Sequence, residues 1–293
     1  MSNISAKMVK ELRDRTGAGM MECKKALTNS SGDMEKAVEE MRKAGQAKAD
    51  KKSSRVAAEG VISLSISEDN KFANIIEINC ETDFVAKDES FLEFVKKISD
   101  ISLQNFDGNI ENLLNSQHQS GKTVEEVRLE LVSKVGENVK IRRIQAIDAN
   151  NSYIGNYMHG TKIGVVVLLK NENTELAKDI CMHIAAMKPI ALNASDISQK
   201  DLNKEREIFL AQAKESGKPE DIIQKMVDGK IKKYISEVTL IDQKFVKDNE
   251  VTVGKLLEKN NNEILSFYRL EVGEGVEKKD ENFADEVMAQ IKK

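Results

Sequence analysis

The spacing of apolar residues changes abruptly near residue 56, and no other property of this chain restricts its fold as much. Before that point the period is helical: Met34, Ala37, Val38 and Met41 fall at i, i+3, i+4 and i+7, one stripe of an amphipathic helix. After it the period is two, with Ile62, Leu64 and Ile66 alternating with serines. Glu68-Asp-Asn-Lys71 supplies a turn, and a return strand is predicted from Phe72 to Cys80. A helical unit followed by a strand hairpin predicts an α+β chain.

The first 45 residues read as three short helices. Ser5 is the expected cap of a helix carrying Met8, Val9 and Leu12 on one face and ended by Gly17. A second runs from about Met20 to Leu27, and Asp33 caps a third that Gly45 closes. Residues 42–55 then hold Arg42, Lys43, Lys48, Lys51, Lys52 and Arg55 against Asp50 alone, and read as a solvated basic linker. A nucleic-acid role for this run is the alternative, but no aromatic is interleaved for base stacking.

Beyond the hairpin, Phe91, Phe94, Val95, Ile98 and Ile101 mark an amphipathic helix, and Thr123-x-x-Glu126 is a capping box before Val124, Val127, Leu131 and Val135. The next block repeats the layout, with strands at about 139–147 and 163–169 and a helix at about 174–187. Helices at 204–216 and 220–234, joined by Gly217-Lys-Pro219, predict an antiparallel hairpin. Its apolar residues Ile208, Leu210, Ile222, Ile223 and Met226 read equally as a self-association surface or as packing within the hairpin. A strand at 264–272 and a last helix from Phe283 to Ile291 close the chain.

Enzyme chemistry finds no footing. Gly17-Ala-Gly19 lies between helices and no G-K-[ST] follows, so it is not a phosphate loop. Cys181 and His183 stand two apart on a helix and do not face each other; His183 reads as a packed core histidine. His159, before Gly160, reads better as a partner contact. Cys23, Cys80 and Cys181 are scattered, without the spacing of a disulfide framework or a zinc site, which suits a reducing cytosol. The N-terminal residues lack an apolar core of the secretory kind, and the longest apolar run, Val165 to Leu169, is far too short to span a bilayer. A cytoplasmic location is expected, and a net charge of −4 does not suggest a genome-binding protein.

One segment stands out instead. Glu77-Ile-Asn-Cys-Glu-Thr-Asp-Phe-Val-Ala-Lys-Asp88 carries a strand straight into an acid and a large aromatic, Asp83 and Phe84. Aromatics are 4% of the chain, so a Phe set among Asp83, Lys87, Asp88 and Glu89 is conspicuous. Two plainer readings stand beside that of a wedge: Phe84 folded under its helix, and Asp83 as an ordinary helix cap. The corresponding strand-to-helix connection of the second block has no such insertion.

Two segments, Leu12-Arg-Asp-Arg-Thr-Gly-Ala-Gly-Met-Met-Glu-Cys-Lys-Lys-Ala-Leu27 and Glu77-Ile-Asn-Cys-Glu-Thr-Asp-Phe-Val-Ala-Lys87, resemble the two signature motifs of translation elongation factor Ts. Tyr157-Met-His-Gly-Thr-Lys-Ile-Gly164, Met182-His-Ile-Ala-Ala-Met-Lys-Pro189 and Phe267-Tyr-Arg-Leu-Glu-Val-Gly-Glu-Gly275 extend the resemblance over the whole chain. The fold it implies is a small three-helix (UBA-like) module with its linker at 1–55 and a core of two similar antiparallel-sheet-plus-helix halves. Those halves fall at 56–140 and at 141–188 with 235–275; a helical hairpin is inserted at 189–234, and a C-terminal helical arm occupies 276–293.

The function implied by the resemblance is nucleotide exchange on the GTPase elongation factor Tu, in its GDP-bound and nucleotide-free forms, with no cofactor or metal of its own. Leu12, Arg13, Met20 and Met21 would contact the GTPase domain; beside this stands the plainer reading that two of the four are core of so small a module. Thr82, Asp83, Phe84 and Val85 would reach its magnesium site, and His159 a more distal domain. The hairpin resembles the family's dimerisation region, and neither membrane nor direct nucleic-acid binding is implied.

Overall fold

The computed structural model describes residues 4–105 and 107–277. The chain divides into two compact units. Among the described residues, one holds 4–65, 74–146 and 270–277; the other holds Ile66–Ala73 and Ile147–Arg269.

The first unit begins with helices α1 (Ala6–Thr16), α2 (Met20–Asn29) and α3 (Met34–Lys52). Ser5 accepts a hydrogen bond from the Met8 amide, and Gly17 ends α1 in the left-handed region at φ 66°. Val9, Leu12, Cys23, Ala26, Leu27 and Ala37 form the small core of this module. Gly45 does not close α3, and most of the expected basic linker is helix. Gly45 lies inside α3, where a Cβ would stand an ordinary 3.8 Å from Ser133 Oγ, and the helix runs through the glycine to Lys52. The basic run is also partly neutralised, Arg42 by Glu126 and Lys43 by Glu39 at 2.8 Å.

Strands β1 (Glu59–Ile66) and β2 (Phe72–Cys80) follow, then a 3₁₀ turn (Val85–Lys87) and helices α4 (Glu89–Asn105), α5 (Ile110–Asn115) and α6 (Val124–Val135). The Thr123–Glu126 capping box forms as expected at the start of α6. Strand β3 (Lys140–Asp148), expected to open the second half of the core, belongs to the first sheet, whose order is β1-β2-β3. The reason lies in β2, which is buried from Ala73 to Cys80 and needs a hydrogen-bonding neighbour on each side. Phe91, Phe94 and Ile98 of α4, with Leu131 and Val132 of α6, pack with Ile76, Ile78 and Ile141 of this sheet.

The second unit carries β4 (Tyr153–His159), β5 (Ile163–Leu169), α7 (Thr174–Met187), the hairpin α8 (Gln199–Lys214) and α9 (Glu220–Val238), β6 (Lys244–Phe245), β7 (Asp248–Thr252), α10 (Val253–Lys259) and β8 (Ile264–Glu271). Strand β4 was not expected, because Gly155 and Asn156 disfavour strands and break its apolar alternation. It pairs antiparallel with β5 from Tyr153↔Leu169 to His159↔Ile163, and the sheet order is β4-β5-β8. Val165, Val167 and Leu169 pack on Ile180 and Ile184 of α7, with Leu240, Phe245 and Ile264 around them. In the α8–α9 hairpin Ala213, Ile223, Val227 and Ile231 face inward, whereas Ile208 and Ile222 are exposed.

The fold is therefore α+β. The expected helix from Phe283 to Ile291 lies outside the described residues. Among the described residues, no helix is long and apolar enough to cross a membrane.

Candidate functional site

β2 leaves the sheet at Cys80, and the following corner is tied down from several directions. The Glu137 carboxylate, just past the Gly136 cap of α6, accepts the Glu81 and Thr82 amides at 3.0 Å each and the Thr82 hydroxyl at 2.6 Å. The Cys80 thiol donates to the Thr82 carbonyl at 3.2 Å, and the Thr82 hydroxyl accepts the Val85 amide at 3.4 Å. Val85 is half-buried against the core and Ala86 is buried, so the segment is pinned on both sides of Phe84.

Phe84 itself turns outward and is 80% exposed, which excludes the reading that folds it under α4. Asp83 does not cap that helix either. Asp88 does, accepting the Ser90 amide at 2.9 Å and the Phe91 amide at 3.2 Å. Its hydrogen bond from the Ser90 hydroxyl is the largest influence holding the Asp88 carboxyl below the usual carboxylate range. Asp83 instead meets Lys87 at 2.7 Å, a solvent-exposed pair that adds little to stability. The outcome is an exposed hydrophobic ring beside charged side chains on a backbone held by hydrogen bonds on both sides.

The other expected contact residues divide. Met21 is 77% exposed and Met20 46%, both at the start of α2, and Arg13 is exposed near the end of α1. Leu12 takes the core reading: it is fully buried in the module and does not present its side chain to a partner, because α1 has too few large apolar residues to spare one. His159 ends β4, exposed, with Nδ1 3.1 Å from the Tyr157 hydroxyl. Thr82 to Val85, Arg13, Met20 and Met21 belong to the first compact unit and His159 to the second.

Sequence reasoning missed two groups. Glu77, inside β2, is fully buried; it accepts from Arg142 Nη1 at 2.9 Å, from Arg143 and from the Gly273 amide at 2.8 Å. Its signal was the one charged residue of β2, balanced by the adjacent Arg142 and Arg143. Glu137 carried no local signal at all.

Among the described residues, no nucleophile–base pair emerges. His183 is fully buried, as expected; its Nδ1 accepts the Val246 amide at 3.2 Å and its Nε2 lies 3.0 Å from Gln243 Oε1. Burial pushes the Cys181 thiol far up, so it is inert as a thiolate. Among the described residues, no three His, Cys, Asp or Glu side chains gather to hold a metal ion.

The family described as Elongation factor TS matches residues 81–274. An elongation factor Ts of Legionella pneumophila (strain Lens) is 55% identical over 292 residues, covering 100% of both chains. One of Thioalkalivibrio sulfidiphilus is 55% identical over 290 residues, 99% of each chain. One of Francisella tularensis subsp. novicida is 52% identical over 292 residues, 100% of each. With a family match over most of the chain and full-length relatives at this identity, the chain belongs to the elongation factor Ts family: it is a translation elongation factor and not an enzyme.

Proposed function

We propose that the chain is a guanine-nucleotide exchange factor that binds elongation factor Tu–GDP in the cytoplasm and uses Phe84 to disturb the partner's Mg²⁺ site. The observation carrying this reading is the exposed Phe84 ring beside Asp83 on a loop whose backbone is clamped. A GTPase holds GDP partly through Mg²⁺, which demands near-ideal octahedral oxygen geometry. Moving the groups that hold its waters by about an ångström loosens the ion, and the phosphates then repel the surrounding acids. No acid, base or cofactor is needed, only tighter contacts with the nucleotide-free state. Linkage makes the effect reciprocal: a factor that weakens GDP binding is itself weakened by GDP, and is displaced when GTP enters.

Arg13, Met20 and Met21 supply binding energy remote from the nucleotide, and His159 a contact from the second unit. The exposed Ile208 and Ile222 of the α8–α9 hairpin are the surface on which a second copy of this chain would dock. The rival reading, RNA or ribosome binding through residues 42–55, is weakened by the carboxylates that Arg42, Lys43 and Arg55 already meet.

The test is stopped-flow release of labelled GDP from elongation factor Tu. Wild type accelerates release, and Phe84→Ala lowers the maximum rate roughly tenfold while leaving complex formation largely intact. Release at the wild-type rate by Phe84→Ala would remove the wedge from the account.

A further inference from the structure

We propose that Glu137 is a positioning residue for Phe84, holding the Thr82–Val85 loop in the only geometry from which the exposed ring can press on a partner. This inference rests on the exchange-factor reading above.

The contacts form a directed chain. Glu137 Oε2 accepts the Glu81 and Thr82 amides, Oε1 accepts the Thr82 hydroxyl, and that same hydroxyl accepts the Val85 amide. One carboxylate thus satisfies the last two backbone donors before Asp83 and, through Thr82, the first donor after Phe84. The grip is returned from the other side: Glu81 Oε1 accepts the Asn138 amide at 2.6 Å, so the corners at 81–82 and 137–138 hold each other reciprocally. Asn138 is buried and reaches further, donating its side-chain amide to the carbonyls of Ser53 at 3.3 Å and Arg55 at 2.9 Å. The segment leaving α3 is thereby anchored at the same corner as the Phe84 loop.

The chemistry explains why rigidity matters here. An exposed ring on a free loop yields when pushed against a packed surface, and the contact energy is spent ordering the loop. A carboxylate accepting backbone N–H groups makes charge-assisted bonds, stronger than neutral ones, so the loop is ordered beforehand. Force applied at Phe84 then passes to α6 and β3 through Glu137 and Asn138. Glu137 has no part in the chemistry at the nucleotide; its effect is carried by the Glu81 and Thr82 backbone and the Thr82 hydroxyl.

The test uses the full-length chain and elongation factor Tu–GDP. In Glu137→Ala, the Glu81 and Thr82 amides exchange with deuterium about tenfold faster, and the maximum rate of GDP release falls about tenfold. The factor concentration at half-maximal rate stays unchanged. Glu137→Gln, which keeps the contacts but loses the charge, restores both readouts in part. Its carbonyl oxygen accepts the two amides, and its NH₂ donates to the Thr82 hydroxyl, which accepts as readily as it donates. If Glu137→Ala fails to fold, Thr82→Val, which deletes only the bridging hydroxyl, takes its place with the same expected loss of maximum rate.

The proposal is overturned if the loop amides loosen while release stays at the wild-type rate. It is overturned equally if the loss appears in the half-maximal concentration, or if Glu137→Gln is as slow as Glu137→Ala. Failure of wild type itself to accelerate release would overturn the exchange-factor reading; a slow Phe84→Ala beside a fast Glu137→Ala would overturn only the positioning role.

Discussion

Glu77 and Arg142 lie on neighbouring strands, 65 residues apart, and meet at 2.9 Å with the carboxylate wholly out of solvent. Arg142 also donates to the Glu274 carbonyl at 2.6 Å and Arg143 to the Glu271 carbonyl at 2.8 Å. One acid in the central strand therefore fixes both its neighbour β3 and the chain that follows β8.

Removing that acid leaves Arg142 without its carboxylate partner and Arg143 with only the half-exposed Glu274 carboxylate at 3.4 Å. Glu77→Ala is expected to destabilise the fold by about 3 kcal/mol, less than for arginines fully sealed from water. The check is the urea midpoint of the first unfolding transition against wild type.

Phe84 and Phe91 should respond in opposite ways to the same truncation. Phe84 is mostly exposed, so Phe84→Ala leaves stability within about 0.5 kcal/mol. Phe91 is fully buried on α4, and Phe91→Ala costs about 3–5 kcal/mol. Denaturant melts of the two variants check this directly.

His183 gives stability a pH dependence. Burial is the larger influence and depresses its pKa below the usual 6.5, which the bond to Gln243 offsets in part. The unfolded chain therefore binds this proton first as pH falls. The stabilisation is fully present above about 6.5, and is lost as pH drops below that value until the folded histidine also protonates. His118, depressed by burial and then by Lys97, adds to the slope with the same sign. Melting temperature measured at stepped pH should decline on acidification, and His183→Gln should flatten the decline.

Gly155 sits where α7 rests on the sheet. A Cβ there would lie 2.4 Å from Ala177 Cβ and 2.9 Å from Val167 Cγ1. Gly155→Ala is expected to cost about 1–3 kcal/mol through overpacking, with no help from backbone relaxation in so regular a strand. Thermal melting of the variant is the measurement.

Much of the architecture was legible locally. The return strand was read as Phe72 to Cys80, the residues it occupies, because its apolar run is bounded by a turn and by the acids at 81–83. The Thr123–Glu126 box and the Ser5 and Gly17 caps were legible for the same reason: each lies within a few residues of the backbone groups it satisfies. Gly45 misled because a glycine costs a helix interior only about 1 kcal/mol, which the residues of α3 on either side of it outweigh. Leu12 misled because exposure on a small module depends on how its three helices turn toward one another.

By itself, the sequence determined the helices and the strand hairpin that open the chain and the isolation of one aromatic among charged residues, all properties of side chains near each other along the chain. Only the tertiary structure decided that β3 joins the first sheet, that Phe84 faces solvent, and that Glu77 and Glu137 do the holding. Those outcomes depend on hydrogen bonds and ion pairs spanning more than fifty residues, where pairing is selected by the burial of whole strands and leaves no local periodic trace.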